Sequence, residues 1–330
     1  MTVSPGETLP PPRPGLYLVH KPAGATSFSL VRDFQERTRA AGIRPDKLPV
    51  CHGGALDPFA EGLVILLAGK ATRLMEQLHP VPKRYVATIV WGVETDTGDA
   101  LGKEVLRGRP RRTEPEPEPG PVTTERPVGA SIELTPSDLA EVLQTFLGWH
   151  EQIPPATSNK RIDGERAYEK AHRGEEVDLP PSPVYLHEAR FLEHDLPRTS
   201  RLELACRGGY YVRSLARDLG RRVGCGAHLS GLRRTAIGPW EDPGPGRQVF
   251  VSGRGLLPWL PSREVTAAEA SRLEAGQPIA PGPRAPPEWP LPEHFPGSPL
   301  VRALRGEALV ALLREEPGAL RRETGLGAGL

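Results

Sequence analysis

Asp57 stands in the run Cys51-His52-Gly53-Gly54-Ala55-Leu56-Asp57-Pro58-Phe59-Ala60-Glu61-Gly62-Leu63-Val64-Ile65-Leu66-Leu67. A carboxylate held in a tight, glycine-rich loop can act as a nucleophile or stabilise positive charge that develops on a substrate. Gly53 and Gly54 permit backbone conformations closed to other residues and a close approach of another chain. Pro58 fixes its own φ and pushes Asp57 away from helical geometry. The same letters would serve an ordinary turn in which Asp57 caps the next segment. Such a turn leaves unexplained His52, five residues upstream, and the aromatic and basic residues downstream.

The elements around this loop follow from pattern. Gly15 to Lys21 reads as a strand and is followed by a Pro22-Ala23-Gly24 turn. Thr26 or Ser27 then caps a helix that runs from about Phe28 to Ala41. Val64 to Leu67 fits either a strand or a buried helix, since periodicity does not decide over so short a run. Gly69 to Leu78 reads as helical, and Tyr85 to Val93, β-branched and aromatic, as a strand. Further along, Ser137 to Phe146 is a capped amphipathic helix, and Asp163 to Arg173 another helix. Arg201 to Cys206 alternates as a strand, and Tyr211 to Val223 is a helix closed by Gly224-Cys225-Gly226.

Three segments break the pattern. Residues 1–14 are Pro-rich and read as a disordered tail. Residues 107–130 alternate Glu and Pro, which forms neither helix nor central strand, so they read as an extended insertion. Residues 241–264 read as a Pro/Gly-rich connector, followed by a helix from about Val265, a Pro-rich stretch at 280–298 and short apolar pieces at 299–313. Strands mixed irregularly with helices predict an α+β chain with a largely antiparallel sheet.

Composition bounds the function. With 42 Lys and Arg against 41 Asp and Glu, the net charge of +1 favours no partner, so any nucleic-acid surface must come from local patches. Cys51, Cys206 and Cys225 lack C-x-x-C spacing, which argues against a disulfide framework or a zinc site and for a reducing, cytoplasmic setting. The N-terminus carries no signal-peptide pattern, and no apolar run reaches membrane-spanning length.

Several separated motifs together resemble one family. Lys21-Pro22-Ala23-Gly24-Ala25-Thr26-Ser27 resembles the N-terminal motif of the TruB-type pseudouridine synthases, and His52 to Gly62 resembles their catalytic loop. Gly69-Lys70-Ala71-Thr72-Arg73, Lys83-Arg84-Tyr85 and Thr95 to Gly102 are similar to the next blocks, in order. So are Gln152-Ile153-Pro154-Pro155, Gly209 to Gly220, Gly224 to Leu229, and Leu232-Arg233-Arg234. The resemblance covers about residues 15–240. It implies the pseudouridine synthase fold, with a mixed, largely antiparallel sheet flanked by helices and loops. It also implies a catalytic domain over 15–250 and a C-terminal segment over 251–330 resembling a degenerate PUA-type RNA-binding domain.

The implied activity is isomerisation of uridine 55 in the tRNA T-loop, by a bacterial-type enzyme that needs no metal and no cofactor. The expected partner is the T-arm of tRNA, bound by a monomer with no obligate protein partner. By this resemblance Asp57 is the catalytic carboxylate, Arg213 the cation that pairs with it, and Tyr85 the aromatic against the target base and a proton acceptor. Tyr211 and Leu232 line the substrate site, and His52 takes the space that the flipped uridine vacates. Lys160, Arg161, Arg221 and Arg222 belong to two basic clusters expected to touch phosphates.

The chain departs from the family at Gly53, where a hydroxyl residue is usual, so that the loop is expected to lose a hydrogen bond and loosen. After Pro155 it reads Ala156-Thr157-Ser158-Asn159-Lys160-Arg161, without the usual tyrosine. Two other functions compete with the enzyme. One is a T-loop RNA-folding chaperone with little or no catalysis, which would have no need of Asp57. The other is the catalytic subunit of a guide-RNA particle, against which the bacterial-type motif spacing argues.

Overall fold

The structure, a computed structural model, describes residues 2–3, 11–111, 131–158, 160–162, 164–175, 177–295 and 297–330. The chain divides into two compact units, one made of Met1–Pro82 with Arg234–Leu330, the other of Lys83–Arg233.

The first unit is organised by two long apolar strands. Gly15–Lys21 and Glu61–Ala68 pair antiparallel, and Val50–His52 lies along the second. Glu61–Ala68 is buried at all but its first residue. Its continuous apolar run, Leu63 to Ala68, is therefore that of a strand covered on both faces, which resolves the strand-or-helix ambiguity. The helix Ser27–Ala40 starts where expected, with Thr26 as cap accepting from Ser29 N–H. Its buried residues Val31, Phe34 and Thr38 recur at helical spacing. The Phe34 ring meets Tyr17 edge-on at 4.9 Å. Gly69–Leu78 is a 3-10 helix whose Ala71, Leu74 and Leu78 face the core.

Residues 241–264 are more than a connector. Gln248–Val251 pairs antiparallel with Gly15–Lys21, and Thr2–Val3 adds to its other side. Ser262–Glu264 opens a four-stranded sheet with Leu300–Arg305, Ala308–Glu316 and Ala319–Gly325. The helix Ala267–Glu274 has a capping box between Thr266 and Glu269. One set of side chains from this sheet, including Leu300, Leu304, Leu309 and Leu312, shares a core with Leu16, Leu63, Leu74, Trp240 and Trp259. The other set, including Val301, Val310 and Leu313, packs with Val265 and Leu273. The C-terminal segment is thus built into the first unit by a common core.

In the second unit, Lys83–Trp91, Thr199–Cys206, Ser182–Asp195 and Gly148–Gln152 form consecutive antiparallel pairs. Lys83, Tyr85, Ala87, Ile89 and Trp91 alternate onto the buried face. The helix Val212–Arg222 buries Val212, Leu215, Ala216 and Leu219. Gly220 cannot carry a side chain, since a Cβ there would lie 2.2 Å from Ala227 N. Gly224, at φ +80°, ends the helix, and the N–H groups of Cys225 and Gly226 both donate to the Gly220 carbonyl.

The expected helix over 163–173 is shorter. Arg161–Ile162 pairs with Glu165–Arg166 as a hairpin, and only Ala167–His172 is helical. Of the expected insertion, Arg107 ends the strand Glu104–Arg107, which pairs antiparallel with Val93–Thr95, Arg109–Arg111 pairs in parallel with Ser131–Glu133, and residues 112–130 lie outside the described residues.

Candidate active site

Asp57 sits in a loop of the first unit that is fastened from three directions. Ser27 Oγ accepts from Leu56 N–H at 2.9 Å and donates to the Leu56 carbonyl at 3.3 Å. Lys21, fully buried, donates from Nζ to the carbonyls of Pro22, Ala25 and Pro58 at 3.1, 2.8 and 3.3 Å. Arg234, also buried, donates from Nε to Leu63 O at 2.7 Å. Its Nη1 and Nη2 reach Ala55 O and Gly54 O, both at 3.1 Å. Gly62 makes the approach possible, because a Cβ there would fall 2.3 Å from Arg234 O. Asp57 itself is half-buried, flanked by exposed Pro58 and buried Leu56.

Two buried cations thus solvate the carbonyls of a loop that carries a carboxylate. Burial brings the Lys21 ammonium down to about 8, with Arg234 pushing the same way and Asp57 and Glu61 opposing. Lys21 stands in a motif without an assigned role, and Arg234 belongs by sequence to a basic cluster expected to touch phosphates; its guanidinium is instead buried and bonded to the Leu63, Ala55 and Gly54 carbonyls. Charged letters read as solvent-facing unless their burial is known.

His52 lies on the Val50–His52 strand, paired with Leu66, and is half-buried. Gly53 does not loosen the loop. Its N–H donates to Ile65 O at 2.8 Å, and the space a side chain would take holds Leu78 Cδ1, 2.5 Å from an ideal Cβ. Burial pushes the neighbouring Cys51 thiol up, away from thiolate reactivity at neutral pH.

The second unit places Arg213 in the first turn of its helix, 3% exposed rather than solvated. Nη1 donates to Thr97 O at 2.8 Å and to Thr157 Oγ1 at 2.7 Å, and Nη2 to Thr157 O at 3.1 Å. Asp99 Oδ2 is 3.7 Å from Nη1. Asp99 is buried and is held by Thr97 Oγ1 and by Leu101 N–H. Tyr211 precedes the helix, and Gln152 brackets its backbone, accepting from N–H at 2.9 Å and donating to O at 3.1 Å. Tyr85 is buried on the Lys83–Trp91 strand, opposite Leu204, and Leu232 is buried on the Ala227–Ile237 strand. Asp99, Gln152 and Thr157 have no chemistry of their own that marks them in the sequence. Their signal was position within or beside motif blocks, with no way to see which contact each makes.

Arg213, Arg217 and Arg221 recur every four residues, so they share one helix face. They line a pocket of ≈180 Å³ with Glu94, Asp96, Gly98 and Pro155. Of the residues expected to meet phosphate, Arg221 is engaged by buried Glu94, from Nη2 at 2.6 Å and Nε at 2.9 Å. Arg222 donates to Thr145 Oγ1 and lies over the Phe146 ring. Lys160 Nζ donates to Ser182 Oγ at 2.5 Å. Arg161 lies in the short hairpin described above. Among the described residues no cluster of His, Cys, Asp or Glu could hold a metal ion, and no helix is long and apolar enough to cross a membrane.

The fold is that of the pseudouridine synthases. An H/ACA RNP bound to a substrate RNA containing 2′-deoxyuridine is similar to it with a TM-score of 0.60, at 19% identity, over 94% of this chain and 84% of that one. At that identity the likeness speaks for fold alone. Residues 44–212 match the model of the TruB family pseudouridylate synthase N-terminal domain, and residues 213–245 that of the tRNA pseudouridylate synthase B C-terminal domain. The chain is 35% identical to tRNA pseudouridine synthase B of Rhodopseudomonas palustris over 80% of this chain and 70% of that protein. It is 38% identical to that of Parabacteroides distasonis over 66% of this chain and 83% of that protein. The chain belongs to the TruB family of pseudouridylate synthases.

Proposed function

We propose that this chain converts uridine 55 of the tRNA T-loop to pseudouridine, with Asp57 as the catalytic carboxylate. Membership of the TruB family supports the reaction, and the fastening of the Asp57 loop by Lys21, Ser27 and Arg234 supports the residue. The isomerisation breaks the N1–C1′ bond, turns the base and joins C5 to C1′. C5 gives up a proton and N1 gains one, so no redox change occurs. A carboxylate held by a preorganised loop serves this as a nucleophile or as counter-charge to the sugar, and a fixed loop spares it reorganisation during the reaction.

Arg213 is the cation assigned to balance that carboxylate, and Tyr85 offers a stacking face and a hydroxyl to accept the C5 proton. Tyr211, Leu232 and His52 complete the handling of the flipped nucleotide. Affinity for the T-arm comes from local basic clusters rather than net charge, and the segment over 251–330 adds an RNA-binding surface.

Purified protein incubated with unmodified tRNA should convert one T-loop uridine, read by mass spectrometry after cyanoethylation. Asp57→Asn should bring conversion to background and leave tRNA binding largely intact. Substantial turnover by the purified variant would overturn the assignment.

A further inference from the structure

We infer that Thr157 is a positioning residue for Arg213 in the isomerisation, an inference that rests on the role given to Arg213 above. A guanidinium offers five N–H donors in a rigid plane, so its orientation is set by where those donors end. Among the described residues of the second unit, two of these donors go to one residue. Thr157 takes Nη1–H on its hydroxyl at 2.7 Å and Nη2–H on its carbonyl at 3.1 Å. Nη1 also donates to the Thr97 carbonyl, at 2.8 Å. Thr157 therefore grips both terminal nitrogens at once, which resists rotation of the plane in a way that a single acceptor does not.

The segment that carries Thr157 is itself tied to the helix of Arg213. Gln152 brackets the backbone of Tyr211, and Ile153 O accepts from Ser214 Oγ at 2.8 Å and from Arg217 Nη2 at 3.0 Å. With residues 152–153 fixed on the helix, Pro154 and Pro155 limit how far the chain can wander before residue 157. Thr157 is thus delivered to the guanidinium by a short, stiff tether. The neighbouring carboxylate, Asp99, is buried and 3.7 Å from Nη1, a charge partner at longer reach than the hydroxyl. Thr157 also stands where the family commonly has a tyrosine.

The test is single-turnover pseudouridine formation at saturating tRNA, beside tRNA affinity by filter binding. Thr157→Val keeps the shape and removes the acceptor. The rate should fall about 10–100-fold, the scale of one hydrogen bond to a charged group, with affinity within about twofold of wild type. Thr157→Ser, which restores the hydroxyl, should recover most of the rate. In an Arg213→Lys background the Thr157→Val step should cost little, because the group it positions is gone. If Thr157→Val does not fold, Thr157→Ala is compared with Thr157→Ser in the same cycle. A wild-type rate for the hydroxyl-less variant, or a full and equal loss in the Arg213→Lys background, overturns the inference. If Arg213→Lys alone leaves the rate unchanged, the failure lies instead with the role proposed for Arg213.

Discussion

Lys21 Nζ donates to the carbonyl of Pro58, the residue that follows Asp57, across 3.3 Å and 37 positions of sequence. The same ammonium holds Pro22 O and Ala25 O, so one buried cation joins the turn after the first long strand to the loop of the carboxylate. The Gly24 N–H donates to Pro58 O as well, at 2.7 Å.

This cation makes a pH-dependent contribution of definite sign. The folded chain holds the Lys21 proton only to about pH 8, because burial lowers it from 10.5. Between those values the unfolded chain binds more protons, so the stability contributed by the site rises with pH across the window. Below about pH 8 the cost of burying the charge is fully present. Lys21→Met has no such titration and leaves three carbonyls without their donor, for a loss of about 1–3 kcal/mol. Urea midpoints at pH 7.5 and 9.5 should show the advantage of wild type over Lys21→Met growing with pH. An advantage that shrinks would contradict the assignment.

Asp99 should tune Arg213 through charge. It lies 3.7 Å from Nη1, buried, with its own carboxylate held by Thr97 and Leu101. Asp99→Asn keeps those local hydrogen bonds available and removes the charge. The single-turnover rate is expected to fall about 10–100-fold, the scale of a charged interaction in a buried setting, with tRNA affinity nearly unchanged. A loss confined to affinity would place Asp99 on the RNA rather than behind the guanidinium.

Gly53 and Leu78 should be coupled. Gly53→Ser restores a hydroxyl but places its Cβ 2.5 Å from Leu78 Cδ1, inside a packed core. The expected cost is about 1–3 kcal/mol of overpacking. Leu78→Ala alone costs about 2–5 kcal/mol through its cavity. The double variant should be more stable than the two losses added together, because the new side chain occupies the space that Leu78 vacates. Strict additivity in thermal unfolding would show that the two positions do not compete.

Local signals carried much of this architecture. Thr26 stands before an amphipathic run and caps its helix, while the helix expected over Ser137 to Phe146 is Pro136–Gln144, capped one position before its Pro by Thr135. The glycines at 224 and 226 mark a helix end that the backbone confirms. What stayed hidden depends on distant partners. Within Glu61–Ala68 the run Leu63 to Ala68 is continuously apolar, so no period announces a strand; its neighbours on both faces do. Gln248–Val251 sits among prolines and glycines and becomes a strand because Gly15–Lys21 offers it a free edge. The burial of Lys21 and Arg234 is not visible in sequence, since nothing local reveals the carbonyls that gather around them. The glycines and proline around Asp57 mark a tight loop, whereas the groups that fasten that loop come from Ser27, Lys21 and Arg234.

The C-terminal sheet should be inseparable from the first unit's fold. Leu300, Leu304, Leu309 and Leu312 share a core with Leu16, Leu63 and Leu74. Arg302, fully buried, donates to the carbonyls of Arg254, Leu256 and Leu260. Removing residues 265–330 would bare Leu256, Leu257, Trp259 and Leu260 and leave these carbonyls without their donor. The truncated chain is expected to lose its cooperative thermal transition and to bind a hydrophobic dye, a loss far larger than a selective weakening of tRNA binding. An RNA role for this segment is therefore tested in the intact chain, by reversing the charge of exposed Arg305. If Arg305 meets a phosphate, Arg305→Glu should weaken tRNA binding and lower the salt slope by about one, with the melting temperature unchanged. A truncated chain that unfolds cooperatively and still converts uridine at the wild-type rate would show that the shared core does not hold the catalytic loop in place.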